Sequence, residues 1–355
     1  MQKKVIALAV AAIMAAPMAA QAGVEVYGKA RLSVGFIGDD NATTGSDDSS
    51  LAVTSHNSRL GFKGSEDLGG GLKAVWQYER GIDLDNQKTS GGSSGDTITA
   101  RNTFVGVAGG FGTVIAGIND TPYKTATGSL DPFVDSYGDY NIVISAANDI
   151  RFDNVIAYMS PDMEGFSVAL AYASDIANDD LPDTLSNDDK DAISMAGMYN
   201  NGPLYVSLAY QAIGNAGGVG ADSDAIKLGV GYKLPTNTNL GFVYESVGQD
   251  TTPTKVDQSN LYFSVSHPVM ADTNVKFAYG KQGESMNGAN DGGNLLAVGV
   301  SKNMTKNTEL YALYSQMAND TNGTTGLSTG GGPKSFADKT ASALAVGVNM
   351  NFSSM

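Results

Sequence analysis

From Leu72 to Glu79 the chain reads Leu-Lys-Ala-Val-Trp-Gln-Tyr-Glu, so that Leu72, Ala74, Trp76 and Tyr78 alternate with Lys73, Val75, Gln77 and Glu79. The same two-residue period runs through Val24 to Phe36, where Val24, Val26, Leu32, Val34 and Phe36 oppose Glu25, Lys29, Arg31 and Ser33. It returns in Ile226 to Leu234, Leu240 to Glu245 and Leu344 to Phe352. A period of two places successive side chains on opposite faces of a β-strand. One face is therefore greasy in strand after strand, while the other repeatedly carries lysine, arginine and glutamate. Long charged side chains on that second face need water, so two such faces cannot close together into a dry sandwich core.

The surroundings of the strands narrow the choice. Lys3 and Lys4 precede the apolar run Val5 to Ala16, and Ala20-Gln21-Ala22 supplies a small-residue cleavage site. Residues 1–22 are expected to be a secretory signal peptide that is cleaved, leaving 23–355 as a single domain. No later stretch approaches the roughly 18–20 apolar residues a membrane helix requires. The chain has no cysteine, hence no disulfide framework or thiolate metal site. Its formal charge of −15 makes nucleic acid a poor partner. An exported chain without membrane helices can cross a bilayer only as a closed barrel, because lipid leaves no backbone polar group unsatisfied.

About sixteen strand-like segments are expected, among them 24–36, 57–65, 71–81, 101–109 and 112–119, with connections that alternate between short and long. Short turns such as Ser65 to Gly70 contrast with long polar connections such as Ile37 to His56 and Asp120 to Ile150. The expected fold is thus all-β, a transmembrane antiparallel β-barrel of about sixteen strands. Tyr78, Phe104, Phe166, Tyr210, Tyr232, Tyr244, Phe263, Tyr279 and Phe352 are assigned to the outward register, as interfacial girdles.

A barrel of that size leaves an aqueous channel unless something narrows it. Thr121 to Ile150 is the candidate, since it mixes Asp131, Asp135, Asp139 and Asp149 with Phe133, Tyr137, Tyr140 and Ile142-Val143-Ile144. This third long loop is expected to fold into the lumen, burying its apolar groups against the wall and holding Asp131, Asp135 and Asp139 in the water path. Lys29, Arg31, Arg59, Lys63, Lys73 and Arg101 would line the opposing wall. Carboxylates facing cations across a narrow passage select ions by charge and solutes by size, and the overall acidity favours cations. The acidic stretches around Asp39-Asp40, Asp47-Asp48 and Asp179 to Asp191 lack the ordered spacing of a calcium loop. His56 and His267 are the only histidines, and no catalytic set, metal cluster or phosphate loop can be specified. No catalytic residue, metal or cofactor is expected.

The blocks VEVYGKARLSVGF, SRLGFKGSEDLGGGLKAVWQYE, ARNTFVGVAGGFGTVIAGINDTP and DNVIAYMSP, in that order and spacing, resemble the Gram-negative general porin family over nearly the whole chain. The resemblance implies a sixteen-stranded barrel assembled as a homotrimer in the outer membrane, among outer-membrane lipid and lipopolysaccharide, passing small hydrophilic solutes and ions. Lys29, Arg59 and Arg101 match the basic ladder of the family's constriction, whereas LDPFVDSYGD replaces the usual acidic inner-loop segment and makes Asp131 and Asp135 the candidates, with Asp139 next. Asn141 to Asp149 has no basic residue, which favours cations. The chain also ends in NMNFSSM, with Phe352 three residues short of the terminus where the family usually ends on an aromatic residue. A solute-selective channel with an aromatic track of Tyr205, Tyr262 and Tyr311, or a barrel serving as adhesin or surface receptor, are the alternative expectations.

Overall fold

The computed structural model describes residues 23–41, 46–85, 98–144, 148–174, 191–216, 221–251, 254–285, 289–327 and 337–354. The assigned signal peptide and the acidic segments at 179–189 lie outside them. Strands dominate: β1 (Gly23–Asn41), β2 (Ser46–Ser55), β3 (Arg59–Gly69), β4 (Leu72–Ile82), β5 (Ile98–Gly109) and β6 (Gly112–Asp120) precede the long connection. After it come β7 (Arg151–Met159), β8 (Phe166–Ala173), β9 (Ala192–Asn201), β10 (Leu204–Ala216), β11 (Ala221–Lys233) and β12 (Asn239–Thr251). The series ends with β13 (Thr254–Met270), β14 (Thr273–Gln282), β15 (Gly293–Asn303), β16 (Thr308–Asn319) and β17 (Thr340–Ser353).

From β3 onward each strand pairs antiparallel with the next, and β17 returns to β1 from Tyr27–Ser353 to Gly38–Ser342. Among the described residues no edge of the sheet remains open, the condition lipid imposes on a sheet. The seventeen segments make sixteen wall strands, because β2 and β3 are two halves of one strand that both pair with β1. Leu32 faces Ser55 in the first half and Lys29 faces Arg59 in the second, so the partner strand gains one residue across 56–58. That is a β-bulge, with Asn57 at a φ of 53°.

The bulge corrects the expectation that Ile37 to His56 is a loop. β1 continues to Asn41 and β2 already starts at Ser46. The serine- and aspartate-rich start of β2 hides its strand character, and the bulge shifts the alternation by one residue. Leu51 and Val53 are exposed on one side of it, and Phe62 on the other.

Elsewhere the period of two translates directly into burial. In β12, Phe242 and Tyr244 are exposed while Val243 and Glu245 are fully buried. Tyr78, Phe166, Tyr210, Tyr232, Phe263, Tyr279 and Phe352 are likewise exposed on the apolar face. Phe104 is not: Val105 takes the exposed position beside it, and Phe104 pairs with Gln77 and packs against a cluster that includes Val75 and Ile115. Two adjacent apolar residues left the phase of β5 undetermined in sequence. The β3–β4 turn is made by Gly69, Gly70 and Gly71, all at positive φ, where glycine avoids the steric penalty of a Cβ. Among the described residues no helix is long and apolar enough to cross a membrane.

Candidate functional site

The connection between β6 and β7 packs against the register opposite the exposed apolar face. It opens with a single helical turn, α1 (Pro122–Thr125), capped by the Thr121 side chain accepting from the Lys124 amide, with proline at the first position. Tyr123 is fully buried; its hydroxyl donates to Glu245 Oε1 at 2.6 Å and its amide donates to Ser194 Oγ at 3.0 Å. Tyr205 Oη donates to the Ala126 carbonyl at 2.5 Å and Ser264 Oγ to the Leu130 carbonyl at 2.6 Å. Leu130, Phe133, Tyr137, Tyr140 and Ile142 to Ile144 form one cluster with wall residues such as Val243, Leu295 and Leu313.

At its far end the connection meets the bulged wall strand. Tyr137 Oη donates to Thr54 Oγ1 at 2.5 Å, and its ring lies edge-on to His56 at 4.8 Å between centroids. Ser315 Oγ donates to the Tyr137 carbonyl at 2.9 Å. Asp135, at a φ of 55°, accepts from Asn57 Nδ2 at 2.8 Å and lies 2.5 Å from Arg31 and 3.8 Å from Arg59. The returning arm is fastened by Asp149, which pairs with the fully buried Lys227 and accepts from the Tyr140 hydroxyl at 2.6 Å. Lys227 Nζ also sits 4.2 Å from the Tyr123 ring centroid.

The opposing wall carries a belt of charge at one level. Lys29 faces Arg59 across the β1–β3 ladder, and Arg59 faces Gly81 on β4. Arg101 Nε donates to Glu79 Oε1 at 2.7 Å, and Tyr27 Oη to Glu79 Oε2 at 2.9 Å. Farther round, Asp120 lies 2.9 Å from Arg151 and 3.2 Å from Lys124, while Arg151 Nε donates to Asn102 Oδ1 at 2.7 Å. Six cationic side chains (Lys29, Arg31, Arg59, Arg101, Lys124 and Arg151) thus share the belt with three carboxylates, Glu79, Asp120 and Asp135. The excess is three positive charges.

Several sequence expectations meet this geometry differently. Lys29, Arg31, Arg59 and Arg101 share the belt, and of the loop acids Asp135 alone reaches the arginines. Asp131 is buried and accepts from the Phe133 amide, the Tyr140 amide and the Tyr262 hydroxyl. Asp139 is buried and accepts from the amides of Asp135 and Asn141. Both carboxylates organise the loop's own backbone, so neither supplies an acidic face opposite the arginines. Lys73 faces Asp67 beside the β3–β4 turn, about 27 Å along β4 from Gly81 at about 3.4 Å per residue. It therefore lies off the belt. The hydroxyls of Tyr205 and Tyr262 hold the loop, which removes two members of the supposed aromatic track.

Sequence reasoning missed Glu79, Asp120, Lys124 and Arg151 as members of the belt, and Lys227 with Glu245 as the loop's anchor. Glu79, Lys227 and Glu245 stand at polar positions of alternating strands, a signal that was present. Arg151 and Asp120 flank the loop at strand ends, where alternation gives no register.

The loop carboxyls are tuned in opposite directions. Burial pushes Asp131 up to about 6 despite the hydrogen bonds that favour its charge. Burial and then the neighbouring charges of Asp131 and Asp135 push Asp139 well above the usual carboxylate range. For Asp135 burial opposes ionisation, yet Arg31 and Arg59 outweigh it and hold the carboxyl low.

A family model described as Gram-negative porin matches residues 7–322. An outer membrane porin protein of Delftia acidovorans is 30% identical over 343 residues, covering 93% of each chain. One of Bordetella pertussis is 27% identical over 370 aligned positions, covering 90% of this chain and 95% of its own length. Among solved structures, the anion-selective porin from Comamonas acidovorans matches with a TM-score of 0.77 at 25% identity, over 93% of this chain and 99% of that one.

Proposed function

The chain belongs to the Gram-negative porin family, a non-enzymatic barrel of the outer membrane, and on that premise we propose that residues 121–150 narrow its lumen to an anion-favouring passage for small hydrophilic solutes. The observation that carries this reading is the excess of three positive charges on the belt of Lys29, Arg31, Arg59, Arg101, Lys124 and Arg151. The sign is opposite to the cation preference expected from composition. That expectation counted Asp131 and Asp139 as facing the arginines, and their carboxylates are spent inside the loop. It also weighed the total of −15. Charges on exposed loops act through water in which their field is screened out over about 8 Å at physiological salt, whereas groups at a narrow passage act at contact distance. Local charge therefore outweighs the total. The name of the anion-selective structural relative agrees with this sign.

The same reading includes cleavage of residues 1–22 on export, assembly of 23–355 as a homotrimer, and an outer face in contact with lipid and lipopolysaccharide. The test is planar-bilayer conductance of the purified protein under a salt gradient. An anion-sided reversal potential is expected, moving toward zero when Arg59 and Arg101 are both replaced by glutamine. A cation-sided potential in the unaltered protein overturns the proposal.

A further inference from the structure

On the wall behind the loop, inward positions that elsewhere carry large or charged groups are glycine. Gly231 lies on β11 and Gly241 faces it directly on β12. A Cβ placed on Gly241 would stand 2.7 Å from the Leu130 carbonyl oxygen, 3.3 Å from Leu130 Cβ and 2.5 Å from Ser264 Oγ. Placed on Gly231 it would stand 2.8 Å from Leu130 Cδ2. The same loop carbonyl that approaches Gly241 is the one that Ser264 donates to. Leu130 is thus seated in a notch two side chains deep, with its main chain drawn onto the wall and its side chain filling the space the glycines leave. The notch borders a cavity of about 410 Å³, lined in part by Pro132, Tyr205, Lys276 and Glu309. The loop here is backed by open space on one flank and by wall on the other, and the depth of the notch decides where it sits.

We infer that Gly231 and Gly241 are positioning residues that set the width of the passage by fixing how far residues 128–132 stand from the wall. The inference rests on the reading that this loop narrows the lumen. The two glycines differ in the motion a Cβ would force. At Gly231 the obstacle is the end of a leucine side chain, which changes rotamer cheaply. At Gly241 it is a backbone oxygen and its hydrogen-bond donor, so the loop main chain must move off β12, away from the wall and toward the basic belt. The passage then narrows without any change in the charges that line it.

The experiment compares single-channel conductance and the size limit for neutral sugars in liposome swelling, alongside heat-modifiable gel mobility as the measure of barrel integrity. Gly241→Ala is expected to lower conductance and the size limit, with the reversal potential under a salt gradient staying on the anion side. Gly231→Ala is expected to have a smaller effect and Gly231→Val a clear one, restored toward the original conductance by adding Leu130→Ala, which empties the notch. Should Gly241→Ala fail to fold, the Gly231→Val series with its Leu130→Ala rescue carries the test. Folded variants with unchanged conductance and size limit overturn the inference. If no variant has an effect while glutamine at Arg59 and Arg101 still moves the reversal potential, the positioning role fails and the proposed channel stands. If the unaltered protein does not conduct, the channel reading itself fails.

Discussion

Asp131 and Asp135 lie within one turn-rich stretch, yet their surroundings give them opposite acid–base behaviour. Asp135 meets two guanidinium groups, while Asp131 and Asp139 are buried against backbone amides of the loop. The consequences for pH oppose each other. A depressed carboxyl such as Asp135 stabilises the docked loop above the usual range of about 4, and that stabilisation is lost as pH falls through its lowered value. Raised carboxyls such as Asp131 and Asp139 weaken docking while ionised. As pH falls from 7.5 toward 5 the docked loop takes up a proton that the released loop does not hold, and docking strengthens. Protection of the Tyr140 amide, which donates to Asp131, should therefore rise between pH 7.5 and 5 in amide exchange corrected for intrinsic rate. It should decline again at pH values below the usual carboxylate range. A protection factor that drops steadily from pH 7.5 to 5 would contradict the assignment. None of this was legible in the sequence. Which aspartate meets an arginine and which meets backbone amides depends on the path of an aperiodic loop, and the three acids look equivalent in LDPFVDSYGD.

The elements show where periodicity informs and where it stops. Strand position 29 was readable as inward because alternation is strict on either side of it, whereas 59 abuts a bulge and 101 lies in β5, so both rested on the family resemblance. The bulge at 56–58 broke that reading, for one inserted residue inverts every later side chain unless its location is known. The same bulge receives the loop tip through Thr54, His56 and Asn57, so the irregularity in the wall and the docking of the loop are one feature. The opposite anchor lies on β11. Lys227 sits between Asp149 and Glu245, with the Tyr123 ring against its ammonium. Replacing Lys227 by methionine keeps the volume but leaves two buried carboxylates without that ammonium, a loss of about 3–5 kcal/mol where a buried pair is broken from one side. The wall strands keep their ladders, so the damage should concentrate in the loop. Limited proteolysis of the Lys227→Met protein should cut within 121–150 faster than in the unaltered chain, while the folded barrel retains its gel mobility. Equal cleavage rates would show that the loop is held elsewhere.

For the whole molecule, closure is the dominant constraint, and it was the most legible feature. Greasy–polar alternation, absent membrane helices and alternating loop lengths together left the barrel as the one arrangement that satisfies every backbone group in lipid. What the sequence left open was how the seam ends. The last described residues continue the ladder past Phe352: Ser354 donates its amide to the Val26 carbonyl at 2.9 Å, Val26 donates to Ser354 Oγ at 3.0 Å, and Ser353 Oγ donates to Glu25 at 2.8 Å. Phe352 itself lies across Gly28, where a Cβ would stand 2.2 Å from the ring. Deleting residues 353–355 removes about three hydrogen bonds at the membrane edge, each with a net value of about 1 kcal/mol. The ladder from Gly28–Phe352 to Gly38–Ser342 remains. The shortened chain should therefore still close, with its heat-modified transition lowered by roughly 5 °C or less. Phe352→Ala in the unshortened chain takes the ring off Gly28 near the end of the seam and should lower the transition further. Failure of the shortened chain to fold, with Phe352→Ala folding normally, would assign closure of the seam to the three-residue tail instead of the ring.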